Sequence, residues 1–251
     1  MDKKYTDKDY WEQYWNEEIR KETEFYFDEL IDKYISWKDI NSYMEIGGAP
    51  GSVMTHMYKI HGLSVSTVDF TESERIIEFL NVHGVEKYSV FQSDFMKFDI
   101  VPHCKKYDIV ASWGFIEHFE RKVAAKFIEK QKQMVSEKGY LVIELPNIRK
   151  VFWLVYWIFN RELIKIHNLE IMDLSWLKKC VTKDGKFELL YASYYFTMNP
   201  QNEFFVEHKR IGRICKRIVC FFGRRSFSDH VKKWFFPYII IIARRKKEGL
   251  F

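Results

Sequence analysis

The sequence predicts an α/β protein built on a doubly wound, mainly parallel sheet. Three observations carry this. Short β-branched runs alternate with amphipathic stretches between residues 38 and 145. The first run, Ser42–Ile46, breaks into a glycine turn that enters a helix. Successive runs then end in an acid: Glu45, Asp69 and Asp94. Such alternation implies parallel strands joined by right-handed crossovers. A ligand is expected at the C-terminal ends of the first and fourth strands, which flank the switch point.

Residues 1–37 precede the sheet. Tyr10, Trp11, Tyr14 and Trp15 form a stripe at i, i+4 spacing, and Phe25, Leu30, Ile31 and Ile35 continue a helical pattern. They predict an amphipathic helical pair capping the core. Strands follow near 42–46, 63–68, 88–91, 107–112 and 139–145, with helices near 52–60, 72–82 and 119–136. Leu145-Pro146-Asn147 ends this alternation. The stretch 146–185 is rich in aromatics (Phe152, Trp153, Tyr156, Trp157, Phe159 and Trp176) and reads as a lid insertion. Phe187–Tyr195 is the sixth strand. Tyr238–Ala243 is the last, and its unalternating apolar run predicts burial on both faces. Pro237 stands at its start, where a missing N–H is tolerated.

About forty residues separate these last two strands. Lys209, Arg210, Arg213, Lys216, Arg217, Arg224 and Arg225 fall there with no acid between Glu207 and Asp229, while Ile211, Ile214, Ile218 and Phe222 recur at helical spacing. A basic amphipathic helix fits a solvated face packed on the sheet, an anionic membrane surface, or nucleic acid.

At 251 residues the chain suits one domain with a substantial core, and 47% hydrophobic and 18% aromatic residues argue against disorder. The net charge of +5 gives only weak whole-chain attraction for anions. The N-terminus lacks the apolar core of a signal peptide, and the longest apolar runs fall short of the roughly 20 residues of a membrane span. Cys104, Cys180, Cys215 and Cys220 form no C-x-x-C pair and no metal-ligand spacing with histidine. Reduced thiols in a cytoplasmic protein and no metal are therefore expected.

The turn Ser42-Tyr-Met-Glu-Ile-Gly-Gly-Ala-Pro-Gly-Ser52 excludes two ligands. Counted from Gly47, the third position is Ala49 and the sixth is Ser52, so the dinucleotide pattern fails; no Gly-Lys-Ser/Thr follows, so a phosphate loop fails too. What remains is an acid followed by glycines two and six residues later: Glu45, Gly47 and Gly51. In this it resembles motif I of the class I S-adenosylmethionine-dependent methyltransferases. Their cofactor carries an ammonium and a sulfonium and no phosphate, which suits a carboxylate at the strand end.

The resemblance implies a Rossmann-like, seven-stranded sheet of order 3-2-1-4-5-7-6, with the last strand antiparallel beside the fifth. It covers roughly residues 40–195 and 237–245. The forty-residue insert departs from the short hairpin usual in the family. S-adenosyl-L-methionine is then the implied cofactor. Glu45, Gly47, Gly48, Ala49 and Gly51 are expected around its methionine part, Asp69 with Phe70 at the ribose, and Asp94 with Phe95 at the adenine. Ser112 and Trp113 complete the cofactor side; Phe115, Asn147 and His167 are expected to meet the acceptor. His118, just after the fourth strand, is the candidate general base, since imidazole titrates near ~6.5. Glu117 beside it is a weak partner on sequence grounds, because adjacent helix residues point in different directions.

The acceptor is narrowed only by exclusion. The amino-methylating enzymes of nucleic acids carry a Pro-Pro motif after strand four, where this chain has Ser112-Trp113-Gly114-Phe115. The cytosine-C5 enzymes need a nearby cysteine, and Cys104 lies before that strand. A hydroxyl on a small molecule, or on a glycan or lipid-linked precursor, is the expected target, with peripheral contact to an anionic membrane a further expectation. An RNA methyltransferase using residues 209–225 and a non-catalytic cofactor-binding scaffold are the alternatives. Nothing in the sequence speaks to oligomeric state.

Overall fold

A computed structural model describes residues 10–11, 25–197, 221 and 227–247. Seven strands form one sheet: β1 (Ser42–Ile46), β2 (Ser64–Asp69), β3 (Tyr88–Gln92), β4 (Tyr107–Trp113), β5 (Val135–Pro146), β6 (Phe187–Tyr195) and β7 (Tyr238–Arg245). Their order is β3-β2-β1-β4-β5-β7-β6, as the sequence predicts. The first five strands pair in parallel, and β7 runs antiparallel to both β5 and β6.

Helices cover both faces. On one lie α1 (Asp28–Tyr34), α2 (Ser52–His61) and α3 (Ser73–Val82), packing Leu30, Ile31, Met54, Met57, Ile76 and Leu80 against Tyr43, Val65 and Ile109. On the other lies α4 (Arg121–Met134), whose Phe127 and Ile128 meet Met44, Ile46 and Val110. β7 is buried on both sides, with Ile239, Ile241 and Ala243 in one cluster and Ile240 and Ile242 in the other. That explains its unalternating composition.

Strand β5 begins at Val135 rather than near 139. Val135 pairs with Tyr107, and after a register shift Tyr140 pairs with Ile109. The polar Ser136–Gly139 stretch, which reads as a turn, is thus absorbed as an irregularity within the strand.

The expected lid segment divides in two. Its first half forms α5 (Val151–Phe159) and α6 (Arg161–Ile166), neither with a buried residue. The second half is α7 (Leu174–Thr182), a core helix that buries Leu174, Leu177 and Val181. Asp173 caps α7 by accepting from Trp176 N at 2.9 Å. A last helix, α8 (Asp229–Phe235), precedes β7. The basic stretch 209–225 lies outside the described residues except for Phe221. No helix among the described residues is long and apolar enough to cross a membrane.

Candidate active site

The pleat of the sheet decides which side chains reach the crevice. Tyr43, Glu45, Trp113 and Glu144 share the α1–α3 face, whereas Met44, Ile46 and Ser112 face α4. Glu45 closes β1 and is buried. Tyr43 Oη donates to Glu45 Oε2 at 3.1 Å, and Trp113 Nε1 donates to Tyr43 Oη at 2.9 Å. Burial, reinforced by Asp69, holds the Glu45 carboxyl up at about 8.

The glycine turn follows directly. Gly47 has φ +75°, and a Cβ there would lie 2.5 Å from the Phe115 ring. A Cβ on Gly48 would lie 2.5 Å from Thr67 Oγ1, to which the Gly48 N–H donates at 3.2 Å. Thr67 in turn donates to Glu45 O at 3.0 Å, so β1, the turn and β2 are tied together. Asp69 ends β2. Its Oδ2 accepts from Ala49 N at 3.1 Å and its Oδ1 from Thr71 N at 2.8 Å, while burial pushes its pKa up. Half-buried Phe70 follows it. Ser52 Oγ, at the first residue of α2, is buried without a hydrogen-bond partner among the described residues.

The loop after β3 forms the next wall. Asp94 Oδ1 accepts from Met96 N at 2.9 Å. Phe95 is buried against Phe115 and Phe127 at ring separations of 6.1 and 5.2 Å. Lys130, reaching across from α4, donates to the carbonyls of Phe95, Met96 and Phe98 at 2.8, 2.9 and 3.0 Å. One ammonium thus pins the whole loop.

Beyond β4 a 3₁₀ turn, Ile116–His118, carries the second cluster. His118 Nδ1 donates to Ile166 O at 2.9 Å, and His167 Nδ1 donates to Leu163 O at 2.5 Å. A carbonyl only accepts, so each ring is fixed with its proton on Nδ1 and a lone pair on Nε2. Both Nε2 atoms face Glu117 Oε1, at 3.8 and 3.9 Å. Glu117 is 1% exposed. Burial, and then Glu144, raise its pKa well above the usual carboxylate range. Burial and His167 lower His118 to about 3. With Glu117 held as the acid, the trio carries no net charge, and its members face one another beyond hydrogen-bond distance. Trp11 covers it, its ring 4.9 Å from His118. Glu117 Oε2 and Glu144 Oε1 have no hydrogen-bond partner among the described residues.

These features fit S-adenosylmethionine. A cradle opened by two glycines, a buried carboxyl awaiting a cation and an orphaned hydroxyl at a helix start are complementary to an amino-acid-bearing sulfonium. They offer no phosphate loop.

A family model described as a methyltransferase domain matches residues 10–171. The chain belongs to this methyltransferase family. Its strand order is that of the class I S-adenosylmethionine-dependent fold. No curated protein matches the sequence. Among solved structures, an O-methyltransferase family protein from Burkholderia thailandensis is 12% identical at TM-score 0.57, covering 89% of this chain and 57% of that one. A Haemonchus contortus phosphoethanolamine N-methyltransferase 2, solved with phosphomonomethylethanolamine and S-adenosylhomocysteine, is 14% identical at TM-score 0.57, covering 88% and 52%. An S-adenosylmethionine-dependent methyltransferase from Archaeoglobus fulgidus is 18% identical at TM-score 0.53, covering 87% and 91%. This chain thus spans little more than half the length of the first two.

Set in this family's crevice, the predicted residues fall into groups. Glu45, Gly48, Ala49, Asp69 and Trp113 are linked around the first turn by hydrogen bonds through Tyr43 and Thr67. Gly47 lies against Phe115, and Gly51 lies against Phe79 and Leu80 of α3, with Asp94 and Phe95 on the neighbouring loop. Ser112 sits elsewhere: fully buried, it donates to Gln131 Oε1 at 3.3 Å on the α4 face. The Phe115 ring packs between the glycine turn and the loop after β3. Asn147 donates through Nδ2 to Lys233 O and Phe236 O at 3.1 and 2.7 Å, tying β5 to the start of β7. His118 and His167 come together at a 4.7 Å ring separation. Glu117 joins them because a 3₁₀ turn, not an α-helix, orients the pair. Glu144, Tyr43, Thr67 and Lys130 carry no sequence signal beyond being polar within apolar runs or an amphipathic helix.

The spacing of cysteines and histidines predicts no metal, yet the fold assembles two trios of possible ligands. Glu117, His118 and His167 form one, and Asp28, His56 and His61 the other, each with donor atoms within 4.8 Å of one another.

Proposed function

We propose that the chain transfers a methyl group from S-adenosylmethionine to a hydroxyl of a small molecule, or of a glycan or lipid-linked precursor. The observation that supports this reading is His118, just past β4, whose Nδ1 is held by Ile166 O so that the neutral ring keeps its lone pair on Nε2, beside Glu117. Glu45 and the turn from Gly47 to Gly51 would hold the methionine part, Asp69 and Phe70 the ribose, and Asp94 and Phe95 the adenine. When bound, the sulfonium supplies a methyl group open to in-line displacement.

The protein then aligns the acceptor and keeps water out, effects able to supply roughly 7–11 kcal/mol of the barrier. Nε2 of His118 would accept the hydrogen bond of the incoming hydroxyl. Burial and His167 hold the ring at about 3, so to serve as base its pKa must rise when cofactor and acceptor fill the site. As the acceptor oxygen takes the methyl group in exchange for the broken C–S bond, whose electron pair would stay on sulfur, His118 Nε2 would receive the hydroxyl proton. His167 and Glu117 keep the ring in register, and Trp11 covers it. Free thiols at Cys104 and Cys180 suit a reducing, cytoplasmic setting.

One observation favours a second reading. The partnerless oxygens of Glu117 and Glu144 would also receive an amine, and an acceptor nitrogen would lose its proton to His118 in the same way. Acceptor screening by S-adenosylhomocysteine release decides between them, starting with nucleotide sugars, lipid-linked glycans and small amines. His118→Ala is expected to lower turnover ~100-fold or more while cofactor affinity stays constant. Unchanged turnover would remove His118 as the base.

A further inference from the structure

The surface built by α5 and α8 is the least explained part of the molecule. Helix α5 reads Val-Phe-Trp-Leu-Val-Tyr-Trp-Ile-Phe, and none of its nine residues is buried. Phe152 and Tyr156 are half-buried on its inner edge, whereas Trp153 and Trp157 face outward beside exposed Leu154 and Ile158. Trp234 of α8 is exposed as well, at 41%. Lys150 joins the two helices, its Nζ 4.9 Å above the Trp234 ring. Contiguous apolar surface of this kind marks an interaction site.

Charge identifies the partner. The segments that carry the patch hold six basic residues against two acids. Lys165 pairs with Glu162, Lys232 with Asp229, and Arg149 donates to Met172 O, so Lys150, Arg161 and Lys233 carry the excess positive charge of the patch. The Arg161 guanidinium lies 4.6 Å from the Trp157 ring, a cation beside an outward aromatic, as at a lipid–water boundary. A second copy docking through the same patch would set this basic rim against itself. Residues 208–228 of the chain contain no acid, so they offer no complementary charge either. We propose that α5 and α8 dock on an anionic membrane surface, with the aromatics in the headgroup boundary and the lysines and arginines on lipid phosphates. Because no described helix spans a bilayer, the contact is interfacial. Asn147, which ties the end of β5 to the start of β7, lies just before α5, so docking would fix the C-terminal end of β5 near the membrane. The proposal does not depend on which acceptor atom is methylated.

The test is flotation of the full chain with phosphatidylcholine vesicles, alone or mixed with phosphatidylglycerol. Binding is expected to be at least ~10-fold stronger to the mixed vesicles and to weaken as salt is raised. Trp157→Glu, and separately the triple reversal Lys150→Glu, Arg161→Glu and Lys233→Glu, should abolish it. Undiminished S-adenosylmethionine binding checks that each variant is folded. Failure of the unmodified chain to bind the anionic vesicles, or undiminished binding by both variants, overturns the proposal. So does loss of binding only when Lys209, Arg213 and Arg217 are reversed, which would move the contact to another surface. A concentration-dependent dimer that Trp157→Glu dissociates would make the occupant a second copy instead. A methyltransferase assay with a soluble acceptor is independent of all four outcomes.

Discussion

Around Glu45 and Asp69 the crevice is made mostly by backbone: two glycines, the Ala49 N–H and a threonine that locks the turn to the strand below it. Around His118 it is made by side chains gathered from distant parts of the chain, with Trp11, Glu117, Glu144 and His167 meeting at one place. On the proposed reading the first half would hold a cofactor whose shape does not vary across a family. The second would suit one acceptor, which fits its being built from segments that can change without disturbing the sheet. Rigid backbone on one side and assembled polar side chains on the other make different demands on mutation.

The largest effect is expected at Asp69. Two ribose hydroxyls on one carboxylate imply that Asp69→Ala weakens S-adenosylmethionine binding by about 100-fold or more, read by calorimetric titration. Next comes Gly47→Ala, which combines a left-handed φ with a methyl group 2.5 Å from Phe115. Cofactor affinity should fall about tenfold, and adding Phe115→Ala should recover only part, because the backbone cost of ~1 kcal/mol stays. Full recovery would mean that the ring contact alone matters.

A subtler effect concerns pH. Glu45 and Glu144 are each held up at about 8 in the folded chain, against an ordinary 4.5. The folded state therefore binds more protons than the unfolded one between these values, and the stability they contribute is present below about 4.5 and lost as pH rises through 8. The melting temperature of the cofactor-free protein should fall across that window. A cationic cofactor favours ionised Glu45, so its binding at neutral pH should release a proton, and affinity should climb toward pH 8 and then level. Glu45→Gln should remove the proton release; its persistence would place the titrating group elsewhere. The smallest effect is expected at Ser112→Ala: cofactor affinity unchanged, with stability lower by about 1 kcal/mol from the lost bond to Gln131.

How much of this was legible in the sequence follows the same division. The glycine turn and the three strand-end acids are local signals, each set by a run of residues and its terminus; the strand order follows only from the family resemblance those signals carry. Ser112 was misleading because a strand-end position fixes where the backbone lies but not which face the side chain takes; Trp113, one residue on, is on the crevice face. Lys130 was invisible, since a lysine on an amphipathic helix gives no sign of the loop it will hold. Glu117 was underrated because the turn carrying it is 3₁₀. His167 and Glu144 could be joined to His118 only by the fold, as 49 and 26 residues separate them from it in sequence.

The most direct measurement is calorimetric titration of the intact chain with S-adenosylmethionine and S-adenosylhomocysteine. The crevice described above predicts one site per chain for both ligands, with micromolar affinity expected of a cofactor site. Absence of binding of either ligand to a demonstrably folded chain would contradict it.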